Sequence, residues 1–258
     1  MLSLDQFISG YVFTFIVVFV RAGTTLMIMP GIGDSFAPNK IRLHIALGLS
    51  LVLSPFITQY MPAHIPQTGA LLVLLTGEFI IGMTIGTVAR ILMTALDTAG
   101  MLISMQSGLG SAQLFNPASA TQGSVIGAVL SMTGMVFLFA TNMHHMLIMA
   151  VVESYNLFPV GQMPNMGDLA DLIVKTVALA FYVGLRVSAP FMIVGLMMYV
   201  TMGILARLMP QIQIFMITLP IQIMLALIAF AMVLSSIMLF WTQEFEQGMM
   251  VFYRGGGL

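Results

Sequence analysis

The sequence predicts an all-α, integral membrane-type bundle of about six long, kinked helices arranged as helical hairpins. Three observations carry this. Hydrophobic residues make up 59% of the 258 positions and charged residues only 7%. An ordinary soluble domain carries about 25% charge, so most of this surface must face lipid or other apolar protein. Mean hydropathy is +1.05, and apolar stretches of span length recur between turns rich in Pro and Gly.

The first segment runs from about Phe7 to Met29 and closes on Pro30-Gly31-Ile32-Gly33, with Pro38 just beyond. The stretch Met1 to Gln6 lacks the basic start of a cleavable signal, and the apolar run after it is too long for one, so it reads as a retained first helix. The second segment covers about Ile41 to Tyr60 and stops at Met61-Pro62 and Pro66. The third begins near Gly69 and keeps helical character to about Ser107. An uncharged polar loop follows from Gly108 to Gly123, and the fourth segment spans about Ser124 to Tyr155. A second loop, Asn156 to Gly167, holds Pro159 and Pro164. The fifth segment runs from about Leu169 to Leu205 with Pro190 inside, and the sixth from about Gln211 to Trp241 with Pro220 inside. The tail ends in Gly255-Gly256-Gly257-Leu258, which reads equally as native or as a cloning scar.

Several segments exceed what a bilayer needs. A hydrocarbon core of ~30 Å takes about 20 helical residues, whereas the third segment would reach ~60 Å as one straight helix. It therefore either breaks or protrudes. Pro190 and Pro220 each remove one helical hydrogen bond and predict bends near Arg186 and Met216. Such helices are expected to pack against other protein. In a six-span topology Lys40, Arg42 and Arg207 share one side, which by the positive-inside tendency places the N-terminus outside.

Composition also excludes functions. The net charge is −1 with no basic run, which argues against a nucleic-acid partner. There is no cysteine, so disulfides, Cys-based zinc sites and thiol nucleophiles are out. No GxxxxGK[ST] nucleotide loop, HExxH or GxSxG elbow occurs, so neither enzyme chemistry nor a cofactor is expected. His144-His145 are adjacent on a helix and are expected to point about 100° apart, too far to share a metal. Methionine is abundant, at 26 residues. It fills irregular packing gaps, and it also suits a deformable seal.

The third segment carries the most informative pattern. Taking about 100° per residue, Gly82, Gly86, Arg90, Met93, Asp97, Gly100, Ser104 and Gly108 fall within about 40° of one line. Gly82 and Gly86 form a small-xxx-small pair that admits close helix approach. Arg90 and Asp97 lie ~10 Å apart along the axis and should each find a partner elsewhere. The stripe fits a packing seam or the wall of a polar pathway. Arg21, Glu78 and Arg186 also sit within apolar segments, where a lipid-facing charge costs a few kcal/mol. A relay needs several carboxylates in series, and only Glu78 and Asp97 are available, which favours inter-helix ion pairs. The loop carries Gly108, Leu109, Gly110, then Leu114 and Phe115 beside Asn116-Pro117. It is either an exposed connection or a re-entrant plug buried in protein or a cavity.

Taken together, these blocks resemble the FliR family, the R/T subunits of type III secretion export gates. The resemblance covers essentially the whole chain. It is carried by Arg21 with Pro30-Gly31-Ile32-Gly33, Pro38-Asn39-Lys40-Ile41-Arg42, Gly77-Glu78-Phe79-Ile80-Ile81-Gly82 with Gly86, and the loop from Gly108 to Gly123. Pro190 to Gly195 and the block Arg207-Leu208-Met209-Pro210-Gln211-Ile212-Gln213-Ile214-Phe215 with Leu219-Pro220 complete it. The resemblance implies a non-enzymatic gate subunit, present in one copy beside five P-type and four Q-type subunits. It implies a P-like part over 1–167 and a Q-like hairpin over 168–258. A substrate-specificity switch membrane subunit would wrap the closed gate, and unfolded export substrates would thread through it. The implied place is the bacterial inner membrane at the flagellar basal body, raised above the membrane plane. The loop would help plug the channel. A stand-alone secondary transporter or proton channel is the competing expectation, since broken helices and buried charges suit that class as well.

Overall fold

The computed structural model describes residues 4–34, 37–62, 67–110, 124–209 and 214–253, with side chains described except at 4–9 and 214–217. Among the described residues the chain is helical throughout, with no strand. In order, α1 is Leu4–Ile28, α2 Asn39–Ile57, α3 Thr68–Gln106, α4 Val125–Ala140, α5 Met143–Leu157, α6 Met166–Leu208 and α7 Ile214–Met249. Single 3₁₀ turns follow α2 (Thr58–Tyr60) and α7 (Met250–Phe252). Five helices are long and apolar enough to cross a membrane, or six if the α4–α5 pair counts as one span.

The breaks follow from local chemistry. α1 gives way at Pro30 to Gly31, whose φ of 88° suits glycine. Pro38, extended at φ −58° and ψ 143°, launches α2. Pro55 lies inside α2 and cannot donate to the Leu51 carbonyl. The Ser54 hydroxyl donates to that carbonyl instead, at 3.0 Å. α6 opens with the Asn165 side chain accepting from the Gly167 N–H at 2.9 Å. Asp168 in its first turn and Arg207 in its last complement the helix dipole.

α3 does not break. Its 39 residues form one helix, about 59 Å long at 1.5 Å per residue. α6, with 43 residues, reaches about 65 Å and continues through Pro190, as α7 does through Pro220. The fourth segment departs from expectation. It is two helices meeting at 73°, not one. The corner is Asn142 in the left-handed region at φ 60°, a conformation Asn adopts more readily than other side-chain-bearing residues.

The chain divides into two compact units. The first comprises Met1–Leu92, Phe139–Val177 and Phe245–Leu258. Its core joins Phe13, Val17 and Val18 of α1 to Leu53 and Ile57 of α2, Leu74 of α3 and Tyr155 of α5. The Tyr253 hydroxyl donates to the Met146 carbonyl. Burial, and secondarily Glu153, push that phenol up to about 12. The second unit comprises Met93–Leu138 and Ala178–Glu244. Within it, Leu96 and Trp241 close around Gly134, where a methyl group would overlap Leu96.

Candidate functional site

In the first unit Arg21 is wholly buried and acts as a staple. Its Nε donates to Glu78 at 2.6 Å and its Nη2 to the other carboxylate oxygen at 3.0 Å, a bidentate pair between α1 and α3. Nη1 donates to the Ser154 hydroxyl at 3.0 Å, and Nη2 also reaches the Phe158 carbonyl at 2.9 Å. The guanidinium lies 3.8 Å from the Tyr155 ring centroid. One side chain thus ties α1 to α3, to α5 and to the turn after α5. Glu78 is itself only 1% exposed.

The small-residue stripe of α3 serves two seams, one in each unit. In the first unit, Gly82 brings α3 onto α1, and a Cβ there would overlap Thr24 Oγ1 and the Arg21 carbonyl. At Gly86 it would sit 2.8 Å from Ile28 Cβ. The Thr25 hydroxyl donates to the Gly82 carbonyl at 3.0 Å across this seam. Arg90 then reaches the turn after α1, with Nε on the Ile28 carbonyl and Nη2 on Asp34, both at 2.8 Å. Asp34 also accepts from the Gly31 N–H at 2.8 Å. Arg42 completes the lock through the carbonyls of Ala37, Gly33 and Asp34. This arrangement predicts a local effect. Asp34→Ala should loosen the 29–38 turn and raise its amide exchange, with little change at Arg21.

In the second unit the stripe faces α4. Gly100 meets Gly127 backbone to backbone, and a Cβ at Gly100 would overlap the Gly127 Cα. Asp97 is exposed and accepts from the Ser131 hydroxyl. Just beyond, Ser104 and Ser124 place their hydroxyl oxygens 2.6 Å apart, and Ser124 also donates to the Gly100 carbonyl at 2.9 Å. The two ends of the 108–123 loop are therefore pinned together. Gly108 turns away from α3 at φ 77°, and the Gly110 N–H folds back onto the Ser104 carbonyl at 3.0 Å. The Gln222 side chain of α7 donates to the Gln106 carbonyl at 2.6 Å. Leu109 and Gly110 are half-buried, while Leu114, Phe115, Asn116 and Pro117 lie outside the described residues.

The remaining residues singled out by sequence take different roles. Arg186 makes no ion pair among the described residues. It donates to the Tyr182 hydroxyl at 2.8 Å and lies 4.7 Å from the Phe240 ring centroid. An aromatic pair replaces the expected acid, because no carboxylate of the packed helices reaches it. Arg207 is exposed in the last turn of α6. Pro190 and Gly195 line a small apolar cavity with Gln106, Phe191 and Gln222. The His144 and His145 rings, in the first turn of α5, lie 4.1 Å apart centroid to centroid. Among the described residues no cluster of three metal-ligating side chains occurs.

Sequence reasoning missed Asp34, Gln222, Ser154, Ser124 and Gly127. A signal for the last two existed. Ser124, Gly127, Ser131 and Gly134 form a small-residue stripe on α4 that matches the one on α3.

Comparison with known proteins agrees with the resemblance read from the sequence. The family described as bacterial export proteins, family 1, matches residues 12–248. The chain is similar to the flagellar biosynthetic protein FliR of Caulobacter vibrioides, 39% identical over 91% of this chain and 94% of the relative. It is similar to FliR of Aquifex aeolicus at 26% identity over 94% of this chain and 93% of the relative. It is also similar to the Yop proteins translocation protein T of Yersinia pestis, at 26% identity over 70% of each chain. With both the family match and the first of these relatives spanning nearly its whole length, the chain belongs to the bacterial export proteins, family 1.

Proposed function

We propose that the chain is a structural and gating subunit of the flagellar type III protein export gate. In this reading it forms part of the channel through which unfolded flagellar proteins cross the inner membrane. The coarser statement follows from the family: the chain is a membrane component of a type III export apparatus and works with other subunits. The finer reading has one copy of the chain assembling with P-type and Q-type subunits at the basal body. Residues 1–167 play the P-like part and 168–258 the Q-like part, wrapped by the specificity-switch subunit.

One observation supports the gating role above the rest. The loop that the family resemblance implies to be a plug leaves from a clamped base, with Ser104 on Ser124 and Gln222 on Gln106. A loop with fixed ends can reshape without unpacking α3 from α4. Leu114 and Phe115 would then obstruct small solutes at rest and yield to a polypeptide. Helices of about 59 and 65 Å, twice a bilayer core, suit a subunit packed among others and partly raised from the membrane.

Deleting Ser111–Ala120 tests this. Membranes holding the assembled gate should become leaky to small ions. An unchanged leak, with the complex still assembled, contradicts the plug.

A further inference from the structure

We propose that Gln222 is the positioning residue for the end of α3: a buried side chain on α7 that caps α3 from a distant helix and ties the start of the 108–123 segment to α7.

The first ground is the accounting of the helix end. The last four carbonyls of an α-helix have no partner inside it. Around the end of α3 the chain that follows supplies two donors of its own. The Ser107 N–H donates to the Ile103 carbonyl at 2.8 Å and the Gly110 N–H to the Ser104 carbonyl at 3.0 Å. The Ser107 hydroxyl adds a second bond to the Ser104 carbonyl, at 3.0 Å. Gln106 is the last residue of α3. Its carbonyl is served from α7, where the Gln222 Nε2 donates to it at 2.6 Å. Gln222 is only 5% exposed. Water therefore competes poorly for this bond, and loss of the donor strands a carbonyl. Two residues further on, Gly108 turns the chain away at φ 77°. The cap thus sits at the point where the chain leaves α3.

The second ground is that packing holds this turn poorly. Gln106, Ser107, Pro190, Phe191, Gly195 and Gln222 are among the walls of a cavity of about 70 Å³. A void supplies no contact atoms to the turn beside it. On α6, Gly195 approaches the Gln106 side chain, where an added Cβ would lie 2.7 Å from Oε1. That contact touches a flexible side chain, whereas the Gln222 bond holds the backbone itself. The two clamps also differ in what they fix. Ser104 and Ser124 hold the two ends of the 108–123 segment to each other. Gln222 holds them to α7, so a displacement of α7 reaches the segment through this one bond.

The inference rests on the gating reading for its effect on leak, and on that alone. The experiment uses the assembled export complex containing the full chain. Gln222→Met keeps the length and burial of the side chain and removes the donor. It should raise amide exchange at Ser107 and Gly110 about tenfold, near the worth of one hydrogen bond to a buried group, and leave Gly33 unchanged. Gln222→Lys returns an N–H donor at similar reach and should recover most of the protection. Membranes holding the Gln222→Met gate should leak small ions, less than those with Ser111–Ala120 deleted. Unchanged exchange in Gln222→Met overturns the proposal, and so does equal behaviour of the Met and Lys variants, including loss of assembly in both. Loss of assembly in Gln222→Met alone supports it. If the deletion leaks and Gln222→Met does not, this proposal fails and the gating reading stands. If neither leaks, the gating reading fails, and the exchange comparison decides the role of Gln222.

Discussion

Glu78→Ala is expected to destabilise the protein by about 3–5 kcal/mol, the range for breaking a buried ion pair from one side. Arg21 would remain wholly buried with its charge uncompensated, keeping only the Ser154 hydroxyl and the Phe158 carbonyl as acceptors. Since this one side chain ties α1 to α3 and to α5, the first unit should lose cooperativity rather than merely soften. The informative companion is the double variant Arg21→Met with Glu78→Met, which removes both charges and retains apolar volume. It should recover a large part of the loss, because a well-packed apolar pair can replace a buried salt bridge at little cost. Recovery will not be complete. Ser154 keeps its bond to the Val151 carbonyl, but the Phe158 carbonyl loses its donor, a penalty of about 1–3 kcal/mol. Thermal loss of the folded, detergent-solubilised protein measures all three. Equal damage in the single and double variants would show that the site depends on the charges themselves and not on their balance.

The second large effect is expected at Gly100. Gly100→Leu should cost about 3 kcal/mol or more and disrupt α3–α4 pairing, because the added side chain falls on the Gly127 backbone, which cannot rotate aside as a flexible side chain could. Separation of the helices would also break the Ser124 bond to the Gly100 carbonyl and the Ser104–Ser124 contact. Even Gly100→Ala should destabilise, against its gain in helix propensity of about 1 kcal/mol. Gly48→Ala is the control, since nothing lies within 4 Å of a Cβ built there. It should be neutral or mildly stabilising. If Gly100→Ala behaves like Gly48→Ala in denaturation of the purified protein, the seam is looser than its geometry indicates.

The helices were legible because their signal is thermodynamic and local. An apolar run of span length has few alternatives, and Pro30-Gly31, Pro38 and Pro62 punctuate the runs. The corner between α4 and α5 was not legible. No Pro or Gly marks Ala140-Thr141-Asn142, and only the left-handed tolerance of Asn hints at it. The cost of Arg21 and Glu78 was readable from their apolar neighbours, but their pairing was not, since it joins positions 57 apart. Arg186 looked identical in sequence and takes aromatic rings instead of an acid. That difference depends on which helix packs alongside, which no local pattern encodes. The same holds for Gln222, whose partner on α3 is 116 residues away.

In the proposed role this chain works as one subunit of a composite export channel and not as a transporter on its own. Gentle extraction from native membranes followed by intact-complex mass measurement tests it most directly. A composite channel should yield a stable assembly containing one copy of this chain together with several copies of two other subunit types, and no solute flux by the chain purified alone into liposomes. A chain that purifies as a stable, partner-free species and drives substrate-dependent flux by itself would contradict it.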